Sequence, residues 1–151
     1  MRVTTKGRYG LRAVLKLAKQ EDYKPISISA IAAEEQVSPE FLEQIFYRMK
    51  KTGIIKSTRG PGGGFSLTKK LDKITLLDIL QAVGEPITLT PCSTPDSKKE
   101  CLRTDDCTAY GIWQEATEHL NEYFGSITIA DIIEKRAVGA YNPLFLSFYC
   151  N

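Results

Sequence analysis

Apolar residues recur every three to four positions over much of this chain, the period of amphipathic helices. Over residues 4–20, Leu11, Val14, Leu15 and Ala18 share one face, and Arg8, Arg12 and Lys16 another, which predicts a first helix. Ile26 and Ile28 alternate with serines and suit a short strand. Ser29 is placed to cap a short helix over residues 30–35. The chain turns at Gln36 and Val37. Ser38 and Pro39 then offer a capping hydroxyl followed by proline at the first helical position. The third helix runs from 39 to about 52, with Phe41, Leu42, Ile45 and Met49 as its apolar stripe, and Gly53 stops it.

The period then shortens. Residues 54–57 and 65–67 read as two strands joined by Arg59-Gly60-Pro61-Gly62-Gly63-Gly64, a turn whose glycines accept positive φ. A β-hairpin directly after a helix–turn–helix is the order of a winged helix–turn–helix. The fold class expected is therefore mainly α, a winged helix–turn–helix with a small hairpin wing. Residues 75–83 form another helix, capped by Thr75. Residues 84–107 lose periodicity, and a loop that long in a small protein is usually functional or disordered. A long helix resumes over 108–124, about 25 Å in length. Trp113, Ala116, Leu120 and Tyr123 lie on one of its faces, with Ile112 and Phe124 beside it. That face is assigned to a dimer interface, the other reading being that it packs on its own domain. A short helix over 128–136 and an apolar tail complete the chain. The organisation expected is a DNA-binding domain over 1–83, a cysteine-bearing loop over 84–107, a dimerisation helix with a short following helix over 108–136, and the tail over 137–151.

Charge sharpens this picture. Net charge is only +2, yet residues 1–73 carry 15 Lys/Arg against 7 Asp/Glu, and residues 74–151 carry 5 against 11. A basic front half fits a polyanionic partner, double-stranded DNA, through counterion release. No apolar run approaches the ~18 residues of a membrane span, and no secretory core follows Met1. A cytoplasmic protein with reduced cysteines is expected.

A recognition helix presents its amino-terminal residues to base edges. On the third helix the outward polar residues are Glu40, Glu43, Gln44, Tyr47, Arg48 and Lys51, with Ser38 at its start. Glu43 suits a cytosine amine and Gln44 an adenine edge, while Arg48, Lys50 and Lys51 suit phosphates. In the wing, Arg59 suits the minor groove, and Gly60, Gly62 and Gly63 let backbone approach sugar and phosphate. The alternative is a tight hairpin with no ligand. A nucleotide-binding loop is a further reading that the residues disfavour, because no Gly-Lys-Ser/Thr ends this turn and a strand rather than a helix follows it.

Cys92, Cys101 and Cys107 fall within 16 residues. Such thiolates suit zinc or an iron–sulfur cluster, and spacing alone does not separate the two from a loop of free thiols. Three ligands are evident and a fourth is not. Tyr110, and Cys150 if the tail docks, are the candidates for the fourth. Asp105 and Asp106 are close in sequence. His119, the one histidine, lies 12 residues past Cys107 and reads as a surface or interface residue. No histidine neighbours a cysteine and no base–nucleophile pair is visible, so an enzyme is not expected.

The stretches Met1–Gly10, Phe41-Leu42-Glu43-Gln44-Ile45 and Arg59–Phe65 resemble the iron–sulfur cluster regulator family that includes IscR, NsrR and CymR. The resemblance extends more loosely to about residue 135. It implies a homodimeric winged-helix repressor whose long helix crosses its partner. Glu43 and Gln44 would read the major groove, and Arg59 with its glycines the minor groove. Cys92, Cys101 and Cys107 would ligate a [2Fe–2S] cluster. The pattern also departs from the family. The histidine of IscR members three residues after the last cysteine is Tyr110 here, and the first-helix carboxylate of NsrR members is Arg8. The resemblance implies control of genes for iron–sulfur assembly or cysteine supply. A cluster-free, CymR-like regulator of cysteine metabolism, controlled by a protein partner at the tail, is the alternative.

Overall fold

The computed structural model describes residues 3–93 and 106–134. Among these, eight α-helices and β-strands follow in order: α1 Thr5–Ala18, α2 Ile28–Glu35, α3 Pro39–Lys51, β1 Ile55–Thr58, β2 Gly64–Leu67, α4 Leu76–Ala82, α5 Tyr110–Ser126 and α6 Ile129–Ile133. The described residues are mainly helical with an antiparallel hairpin, a winged helix–turn–helix, as the periodicity predicts.

The α2–turn–α3 unit forms as its punctuation dictates. Gln36 adopts a left-handed conformation (φ 54°) and closes α2. The Ser38 hydroxyl accepts from the Phe41 N–H at 3.2 Å, and Pro39 begins α3. Gly53, at φ 74°, releases the chain into the wing. In the hairpin Ile55 opposes Leu67 and Thr58 opposes Gly64.

One expectation is corrected around Ile26. A strand over Ile26 and Ile28 does not form. Ile26 makes a single antiparallel bridge to Phe65, and Ile28 is already helical. The capping residue is Ser27 rather than Ser29, because the Ser27 side chain takes the Ala30 N–H at 3.2 Å. The bridge lays the start of α2 along the wing.

Leu17 of α1, Ile31 of α2, Leu42, Ile45, Phe46 and Met49 of α3, Ile55 of β1 and Ile79 of α4 form one buried core. Ile129 of α6, distant in sequence, is fully buried in it. Thr75 and Thr128 form a bridge to one another, and each also closes a capping box with Asp78 and Asp131 respectively. Two helix starts are thereby fixed side by side. The short final helix expected to reach residue 136 is described only to Ile133, and the tail lies outside the described residues.

Candidate nucleic-acid interface and cysteine site

The outward side of α3 is held rigidly from behind. Phe46 meets Phe65 of the wing edge-on at 4.9 Å, and Phe41 meets Tyr9 of α1 edge-on at 5.7 Å. Lys50 Nζ donates to Ser57 Oγ of β1 at 2.9 Å, so this lysine spans helix and wing. Glu40, Glu43, Gln44, Tyr47, Arg48 and Lys51 all lie exposed on one stripe. With Gln81 and Gly84 from the end of α4, they line an open groove of about 960 Å³. Ser38 is exposed at the amino end of the stripe, and its oxygen is engaged as the helix cap.

Arg48 sits at one margin of this groove. A Cβ added at Gly84 would lie 2.6 Å from Arg48 Nη1, so the guanidinium rests against the carboxyl end of α4, where the helix dipole favours a cation. In the wing, Arg59, Gly60 and Gly62 are exposed. Gly62 takes φ 74°, and a Cβ at Gly63 would approach the Thr58 carbonyl oxygen to 2.4 Å, so the tip is closed to side chains. Part of the basic excess serves the fold rather than the surface. Arg12 pairs with the buried Glu35, and Lys16 with Glu34, fastening α1 to α2.

The segment after α4 was illegible in the sequence and proves highly connected. The Thr4 N–H donates to Glu85 Oε1 at 2.9 Å, and the Thr4 hydroxyl also donates to this carboxylate. Glu85 therefore sits at the positive amino end of α1. Further on, Asn121 Nδ2 donates to the Ile87 carbonyl at 3.0 Å, and the Leu89 N–H donates to Thr117 Oγ1 at 3.3 Å. Thr117, a polar residue, is the one buried side chain of α5. The helix is pinned along a polar line, while Ile112 and Trp113 are 64% and 42% exposed.

Cys92 is half-buried in a single 3-10 turn, Pro91–Ser93. Its Sγ shares a hydrogen bond with Thr90 Oγ1 at 3.0 Å, and Ser93 Oγ donates to the Trp113 carbonyl at 3.3 Å. Cys107 is exposed, and its carbonyl accepts from the Tyr110 N–H at 3.0 Å. Cys107 itself, and Ser93 next to Cys92, are thus bonded to the first turn of α5. The Tyr110 hydroxyl accepts from Gln114 Nε2 at 2.7 Å. Cys101 and Cys150 lie outside the described residues, as does Asp105. Among the described residues no three His, Cys, Asp or Glu side chains are placed to hold one metal ion. His119 is exposed on α5 between Glu115 at 3.8 Å and Glu122 at 3.7 Å. Thiolates are the soft donors that zinc or an iron–sulfur cluster takes, and Cys92 and Cys107 supply two of them among the described residues.

Comparison with known proteins agrees with this architecture. The family model Rrf2, an iron-dependent transcriptional regulator, matches residues 3–135. The transcriptional regulator IscR of Xenorhabdus nematophila is 32% identical over 138 residues, spanning 91% of this chain and 82% of that protein. Among solved structures, CymR, the global cysteine regulator of B. subtilis, superposes with a TM-score of 0.73 at 30% identity, covering 89% of this chain and 98% of CymR. IscR of T. potens gives 0.71 at 28% identity, covering 96% of each chain.

Proposed function

The chain belongs to the Rrf2 family, which makes it a helix–turn–helix transcription regulator of the IscR and CymR type and not an enzyme, and on that premise we propose that it binds operator DNA as a homodimer whose affinity is set by a [2Fe–2S] cluster in the cysteine loop. Glu40, Glu43 and Gln44, with Ser38 at the helix start, face the major groove in this reading. Arg48 and Lys51 meet phosphate, and Arg59 with Gly60, Gly62 and Gly63 reaches the minor groove. The exposed pair Ile112 and Trp113 supports a second copy as the partner of α5.

The observation that carries the regulatory part is the segment 84–93. It touches the recognition helix at Arg48, the start of α1 at Thr4, and α5 at Thr117, Asn121 and Trp113. It contains Cys92. Cys92, Cys101 and Cys107 would hold the cluster, with Tyr110 or Cys150 as the fourth ligand. When bound, the cluster supplies an iron- and redox-sensitive link between these side chains. The chain's own residues do the rest. Order in the loop fixes Glu85 over α1 and Gly84 against Arg48, and so fixes the pose of α3. A coupling of this kind is worth about 1–3 kcal/mol. The target genes in this reading serve iron–sulfur assembly or cysteine supply.

Anaerobic purification tests it. The reading expects a coloured protein with iron bound, and a DNA affinity that changes on chelation. A colourless, iron-free dimer whose affinity is unchanged by reconstitution would leave a cluster-free regulator answering to a protein partner at the tail. That rival, which the likeness to CymR favours, expects a normal response from a variant with all three loop cysteines changed to serine.

A further inference from the structure

Tyr47 stands in the middle of the outward stripe of α3. It is one turn past Glu43, three positions past Gln44 and one turn before Lys51, so all four side chains project on one side. It is 66% exposed, more than Trp113 or Ile112. Those two lie on α5, where the proposed second copy would cover them. Tyr47 shares no apolar face, because its neighbours in the groove are Glu40, Glu43, Gln44, Arg48 and Lys51. Lys51 Nζ lies 6.0 Å from its ring centroid, a cation against the π face. A large ring left in water at the centre of a polar stripe forgoes the stabilisation that burial would give it. A glutamine or lysine would solvate this position as well.

We propose that Tyr47 reads sequence by laying its ring against the C5-methyl group of a thymine in the major groove. The inference rests on the reading of α3 as the recognition helix. Of the bases in DNA, thymine alone presents a methyl group there. The ring gives that methyl an apolar surface, and the terminal hydroxyl stays hydrated or donates to a phosphate oxygen. Lys51, 6.0 Å from the ring centroid, leaves a cation beside it for a neighbouring phosphate. Glu43 and Gln44 would recognise hydrogen-bonding edges, and Tyr47 adds a contact that no hydrogen bond supplies.

The full-length protein is used to enrich its preferred duplex from a random library. Each thymine of that duplex is then replaced in turn by uracil, which deletes the methyl group and nothing else. One replacement weakens the wild-type protein about fourfold, the worth of a single buried methyl. Tyr47→Ala binds the parent duplex more weakly and is indifferent to the same replacement, and Tyr47→Phe keeps the wild-type sensitivity. Because the side chain is exposed, both variants retain the wild-type melting temperature. Equal sensitivity of Tyr47→Ala and wild type to every replacement overturns the proposal while leaving α3 as the recognition helix. Failure of the wild-type protein to enrich any duplex overturns both.

Discussion

Glu43 and Lys51 lie on the same stripe of α3, yet their removal is expected to register differently. A carboxylate near phosphates is tolerated for what it selects, so Glu43→Ala relaxes discrimination at one base pair by about 1–3 kcal/mol. Lys51→Ala instead weakens every duplex alike and lowers the slope of log affinity against log salt by about one. Anisotropy titrations of both variants on matched and mismatched duplexes, at several salt concentrations, separate the two behaviours. The stripe itself was legible in the sequence, because a helical period fixes which residues share a face. Glu85 was not. It sits in an aperiodic stretch, and its partner Thr4 is 81 positions away, so no local pattern marks it. Thr117 and Asn121 left a faint mark, as polar residues four apart beside an apolar stripe.

At the scale of elements, the caps decide where helices begin. Thr128 accepts from the Asp131 N–H at 3.1 Å and donates to Asp131 Oδ2 at 2.6 Å. Thr128→Ala is expected to lower stability by about 1 kcal/mol, read as a shift in the urea midpoint. The wing depends on a bare tip. Gly63→Ala puts a Cβ against the Thr58 carbonyl and must displace the hairpin turn, so DNA affinity falls while the core transition is little altered. Ser38-Pro39 and the glycine turn announced α3 and the wing in advance, since their chemistry is local. The segment at Ile26 did not, because tertiary pairing with Phe65 and the cap at Ser27 together outweighed an alternating pattern four residues long. For the same reason the place of α6 in the core was hidden, as burial of Ile129 depends on its neighbour across the Thr75–Thr128 bridge.

At the scale of the whole molecule, two surfaces matter together. The exposed Ile112 and Trp113 are read as the seam between copies, so Trp113→Glu combined with Ile112→Glu is expected to yield a monomer in sedimentation and to reduce operator affinity, since two half-sites are then no longer held together. The groove along α3 and the loop ends at Cys92 and Cys107 are joined through residues 84–89, which run from Arg48 to α5. The most direct test of that connection is a pair of DNA-binding titrations on one enriched duplex, with protein purified without oxygen and carrying iron, and with the same sample after chelation. The two curves are expected to lie about fivefold or more apart, the lower end of ordinary coupling free energies, and to coincide once Cys92, Cys101 and Cys107 are all serine. Superimposed curves for iron-loaded and stripped wild-type protein would contradict that connection.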